Sequence, residues 1–108
     1  MDNLEKLTDM FAEFLTIYKF VNKKTIADML HTELDTQQKL EIYNLSDGER
    51  STRDIANQLT QKCGHNTVAK LWRQWALKGL VVSAGRKGRV KAAFNLEEYG
   101  MTEVKEEE

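Results

Sequence analysis

Residues 51–94 read STRDIANQLTQKCGHNTVAKLWRQWALKGLVVSAGRKGRVKAAF, and the order of apolar periods and glycines within them decides the fold. Ser51 or Thr52 can cap a short helix whose inward side is Ile55, Ala56 and Leu59, and the small Ala56 lets another helix approach closely. A polar stretch, residues 60–64, separates it from a longer helix over residues 65–78, where Val68, Leu71, Trp72 and Trp75 share one side. That spacing assigns both tryptophans to the core rather than to base stacking. Gly79 is a natural left-handed stop for this helix. Leu80-Val81-Val82-Ser83 and Val90-Lys91-Ala92-Ala93-Phe94 then read as two short strands. Residues 84–89 join them, with Gly85 and Gly88 permitting a tight hairpin whose tip is basic.

Working outward, Asn95 can cap a last helical turn over residues 96–99. Residues 102–108 are too charged and too poor in apolar groups to fold, and are expected to form a disordered acidic tail. Upstream, Ser46-Asp47-Gly48 reads as a turn that closes a helix capped by Asp35-Thr36 and carrying Leu40, Ile42, Tyr43 and Leu45. Before it, Asn22 or Thr25 can cap a helix carrying Ile26, Met29, Leu30 and Leu34. The first helix is the most regular: Leu4, Leu7, Phe11, Phe14, Tyr18 and Val21 fall at alternating three and four spacings, with Met10, Leu15 and Ile17 widening the stripe, which suits either a partner helix or the chain's own core. The expected architecture is mainly α with a small β-hairpin wing: a helical arm over residues 1–34 ahead of one domain over residues 35–101.

The composition narrows the function classes. The chain has 108 residues, enough for one compact domain with an added arm. No apolar run reaches the roughly 18 residues that span a bilayer, and the first residues lack the basic start of a secretory signal, so a cytoplasmic protein is expected. A single Cys63 forbids an intrachain disulfide and a multi-cysteine zinc site, and no metal or cofactor is expected. The formal net charge of −1 hides three unlike blocks. Residues 1–49 hold five basic and ten acidic side chains, and residues 96–108 carry a net −5. Residues 50–95 hold ten basic side chains and only Asp54, a net +9. Clustered Lys and Arg of that density gain affinity for a polyanion by releasing counterions condensed on phosphates.

The ordered set Leu45-Ser46-Asp47-Gly48-Glu49, Asp54-Ile55-Ala56, Leu59, Thr67-Val68, Trp72, Trp75 and Gly79-Leu80-Val81 resembles winged helix-turn-helix transcriptional regulators of the MarR and ArsR type. The resemblance covers residues 35–101, with a longer turn between Ala56 and Val68. It implies a double-stranded DNA-binding regulator, a recognition helix over residues 65–78, and a small apolar plug in the turn at Cys63. A redox role for Cys63, or a metal held with His65 and His31, is the less favoured reading of those residues.

The residues themselves support that expectation, since a major groove about 12 Å wide admits one α-helix. With Val68 inward, Asn66, Lys70, Arg73 and Gln74 fall on the outer side and Thr67 at its flank. Arg73 can pair with a guanine edge, Asn66 or Gln74 with adenine, and Lys70 with guanine or phosphate. Leu77 points the same way, toward a thymine methyl or a protein partner. Arg86, Lys87, Arg89 and Lys91 on the hairpin suit phosphate or the minor groove, and their charge also protects an exposed sheet edge. Ser51, Thr52 and Arg53, at the start of the first motif helix, are candidates for a phosphate contact, with helix capping the ordinary alternative. A homodimer is expected through Leu4, Leu7, Phe11, Phe14 and Tyr18. No nucleophile and base pair, paired-carboxylate site or phosphate-cradling glycine loop is present, so no enzyme is expected. The rival reading is a winged-helix protein-interaction module that does not bind DNA.

Overall fold

A computed structural model describes residues 2–101. In chain order the elements are α1 (Asn3–Val21), α2 (Lys23–Glu33), α3 (Gln37–Leu45), α4 (Thr52–Gln58), α5 (His65–Leu77), β1 (Val81–Ser83), β2 (Val90–Ala92) and a 3₁₀ turn (Leu96–Tyr99). This is a mainly helical chain closed by a small antiparallel hairpin. Two compact units meet between Thr32 and Glu33, two residues before the boundary anticipated at residue 34. The acidic tail expected over residues 102–108 lies outside the described residues.

In the first unit, Asp2 caps α1 by accepting the Glu5 N–H at 2.8 Å. The 19 residues of α1 include no buried one. Only Asn22 separates α1 from α2, and its side chain does not cap the second helix as anticipated. Its amide instead donates back to the Tyr18 carbonyl at 2.9 Å, while its own carbonyl accepts the Ile26 N–H. The last turn of α1 thus keeps its side-chain partner and α2 starts from backbone alone. Ile26 and Leu30 of α2 are buried.

The second unit begins at Glu33, and Leu34, just past the end of α2, is buried. Thr36 caps α3 through the Lys39 N–H at 3.1 Å. Ser51 caps α4 in a reciprocal box: its hydroxyl accepts the Asp54 N–H, and the Asp54 carboxylate accepts the Ser51 N–H. These caps stand where the sequence puts them because each satisfies an N–H that the first helical turn leaves over. The core gathers Leu40, Ile42 and Tyr43 of α3, Ile55 and Ala56 of α4, and Val68, Trp72 and Trp75 of α5. Tyr43 meets Trp75 edge to face, with ring centroids 5.5 Å apart. The Trp72 indole N–H donates to the hydroxyl of buried Ser46 at 2.9 Å, and Ser46 donates to the Ile42 carbonyl, so no polar group there is left unpaired.

The hairpin is shorter than the sequence suggests. β1 and β2 pair antiparallel through Val81 with Ala92, Val82 with Lys91 and Ser83 with Val90, whereas Leu80, Ala93 and Phe94 stand outside the strands. Past Val81 the Leu80 N–H returns to the Trp75 carbonyl, leaving only the Ala93 N–H to Leu80 carbonyl bond across the pair, while the Tyr43 hydroxyl donates to the same Leu80 carbonyl at 2.7 Å and accepts the Phe94 N–H at 3.2 Å, holding both hairpin ends on α3. Residues 46–48 are also more than a turn: Asp47 bridges Lys91, the Gly48 N–H donates to the Val90 carbonyl, and the Ala92 N–H donates to the Ser46 carbonyl. They lie along β2 and tie the wing to the segment that precedes α4. α5 ends at Leu77, one residue short of expectation, with Gly79 at φ +77° and the Leu80 N–H returning to the Trp75 carbonyl.

Candidate nucleic-acid interface

The turn between α4 and α5 is held by polar contacts from α3 and from α4. Gln38 donates to the Gln61 carbonyl at 2.8 Å, the Thr60 N–H donates to the Glu41 carboxylate at 3.0 Å, and the Lys62 ammonium donates to the Asn57 carbonyl. The turn delivers Gly64 as the N-cap of α5, with no side-chain cap and no acidic residue in the first helical turn. The positive end of the helix dipole is therefore not offset locally. Half-buried Cys63 and His65 border a pocket of about 270 Å³ under the turn, together with Arg53, Asn57 and Gly64.

Burial of Val68, Trp72 and Trp75 fixes the rotation of α5. It leaves Asn66, Thr67, Lys70, Arg73 and Gln74 exposed, and no acidic residue occurs anywhere on this helix. Leu77 is 90% exposed at its end. Across from it, Gly85 at φ +77° and Gly88 at φ +76° turn the hairpin tip, closed by Ala84 N–H to Arg89 carbonyl and Arg89 N–H to Arg86 carbonyl bonds. α5 and the hairpin enclose a groove of about 840 Å³, in which Arg73 of the helix shares the lining with Arg86, Lys87 and Arg89 of the wing. Trp72, Ala76 and Val82 supply apolar wall, and Val82 is half exposed.

The predicted wing cations do not behave alike. Arg86 and Lys87 are exposed, with Arg86 3.7 Å from the Glu49 carboxylate in an open ion pair. Such a pair contributes at most about 1 kcal/mol and yields readily to a phosphate. Arg89 is half buried and donates its Nε to the Glu49 carbonyl at 3.0 Å, so it fastens the wing to the loop before α4. Lys91 is exposed on β2, opposite Val82 in the strand pairing. Arg53 is exposed on α4, whereas the Ser51 hydroxyl is taken up by its cap. The cap also holds the Asp54 carboxyl below its ordinary range, first through the Ser51 N–H and then the Ser51 hydroxyl. A carboxylate thus stays ionised at the start of α4, which disfavours phosphate there. Asp47 is likewise held low by the N–H groups of Arg50 and Glu49, and pairs with the Arg50 guanidinium at 2.7 Å.

Glu49 is the residue that sequence reasoning missed, since it meets both Arg86 and Arg89 from a position forty residues away from the latter. No spacing rule reaches that far. Among the described residues no group of His, Cys, Asp or Glu is placed to hold a metal ion. No helix there is long and apolar enough to cross a membrane. No protein-family model, no curated protein and no solved structure matches the chain.

Proposed function

We propose that the protein is a sequence-specific double-stranded DNA-binding transcriptional regulator of the winged helix-turn-helix kind, working in the cytoplasm as a homodimer. The observation that carries this reading is one groove lined by Arg73 from α5 together with Arg86 and Lys87 from the wing, next to a helix with no acid. α5 enters the major groove, where Asn66, Arg73 and Gln74 meet base edges and Thr67 and Lys70 flank them. Arg86, Lys87 and Lys91 rest on the flanking backbone or minor groove. Arg89 supports the wing from beneath, and Arg53 adds a backbone contact.

A mixed-sequence duplex titrated with the protein at several salt concentrations, read by fluorescence anisotropy, tests this. The wild type is expected to bind with a steep log-log salt dependence, and Arg86→Ala/Lys87→Ala to flatten the slope by about two, one unit per phosphate contact removed. Arg89→Ala is expected to lower the unfolding midpoint as well. Absence of binding by the wild type at low salt overturns the reading. The second reading, a protein-interaction module, draws on the exposure of Leu77 at the end of α5 and of Val82 on β1, which suits an apolar partner. It gains if DNA is ignored.

A further inference from the structure

The apolar side of α1 carries its own instructions for what covers it. Leu4, Phe11 and Tyr18 repeat every seven residues, and so do Leu7, Phe14 and Val21. These are the two core positions of a heptad, and all six side chains are at least half exposed. Phe14 and Tyr18 already lie together, with ring centroids 6.2 Å apart.

The charges along the same segment are sorted by end. Residues 2–13 hold Asp2, Glu5, Asp9 and Glu13 against Lys6, a net −3, while residues 14–24 hold Lys19 on α1, Lys23 and Lys24 at the start of α2, and no acid, a net +3. A parallel pair of such helices sets like against like along its whole length. An antiparallel pair sets each acidic half beside a basic half and opposes the two helix dipoles.

We propose that α1 pairs antiparallel with α1 of a second copy, about a two-fold axis passing between Ala12 and Glu13. The apolar register fits this axis: Leu4 then faces Val21 of the second copy, Leu7 faces Tyr18, and Phe11 faces Phe14, each layer combining one residue from each heptad series. Met10 falls across from Ile17 at the flank of the seam. The two-fold axis makes the contact self-complementary, so it closes at two chains. The pairing rests on the homodimer proposed above and not on DNA binding, which the anisotropy titration reads separately.

The test uses the full chain. Sedimentation is expected to give the mass of two chains, with association weakening as salt rises because the sorted charges are exposed. In a Cys63→Ser background, a Leu4→Cys chain and a Val21→Cys chain mixed in a glutathione buffer are expected to form the mixed disulfide, and neither alone to couple with itself. Self-coupling of the single variants means a parallel pair and overturns the proposal, as does a one-chain or four-chain mass. Both substituted positions are exposed, and the two tryptophans lie in α5, so their near-ultraviolet signal confirms that the domain is folded in every variant.

Discussion

Tyr43 is where the wing, α3 and α5 are joined, because one hydroxyl binds both ends of the hairpin and one ring packs on Trp75. Burial pushes this phenol up to about 12 from an ordinary value of 10, since the phenolate has no water to stabilise it. Below pH 10 the folded and unfolded chains both keep the proton, and the contribution to stability is complete. Between 10 and 12 only the unfolded chain releases it, so stability falls as pH rises through that window. Urea unfolding across this range is expected to show the decline in the wild type and to lose most of it in Tyr43→Phe. At neutral pH that substitution costs about 1–3 kcal/mol, because the Phe94 N–H loses its partner and the Leu80 carbonyl keeps only the Ala93 N–H. The sequence marks Tyr43 only as an inward residue of a helix; that its oxygen meets a strand end 37 residues on and an N–H 51 residues on is a fact of tertiary packing.

Two glycines separate what an element needs by itself from what its neighbour demands. Gly79 stands at φ +77° with open space where a Cβ would project, so its role as the stop of α5 is local and readable from the sequence. Gly48 stands at φ +87°, and a Cβ there would come within 3.0 Å of the Ala84 Cβ on the hairpin. Gly79→Ala is expected to cost about 1 kcal/mol, the penalty of a left-handed residue. Gly48→Ala carries the same penalty plus a displacement of the wing, and is expected to cost about 2 kcal/mol or more. Thermal unfolding reads both, and a smaller loss at Gly48 than at Gly79 would deny residues 46–48 their place along β2. The caps at Thr36, Ser51 and Asn95 were legible because each involves residues two or three apart. The strand lengths were not, since the Leu80 N–H goes to the end of α5 and the Phe94 N–H to Tyr43 of α3.

At the scale of the molecule, the proposed function assigns association to α1 and recognition to the groove between α5 and the wing. If pairing of α1 presents two recognition helices at once, binding to an inverted-repeat site gains from the raised effective concentration of the second domain. Phe11→Glu is expected to keep the wild-type affinity for a single half-site while losing about 100-fold on the inverted repeat, which a paired titration on the two duplexes measures. Equal losses on both would place the effect in the domain. The sequence by itself determined the order of helices and hairpin, the caps, the side of α5 that packs inward, and the basic block over residues 50–95, because period, capping and charge act within a few residues. Only the tertiary structure decided that Arg89 is a fastener and Arg86 an open cation, that Glu49 meets both, and that residues 46–48 lie along β2. Those depend on side-chain and backbone groups brought together across 37 residues or more, and a sequence carries no record of which partner a side chain will find.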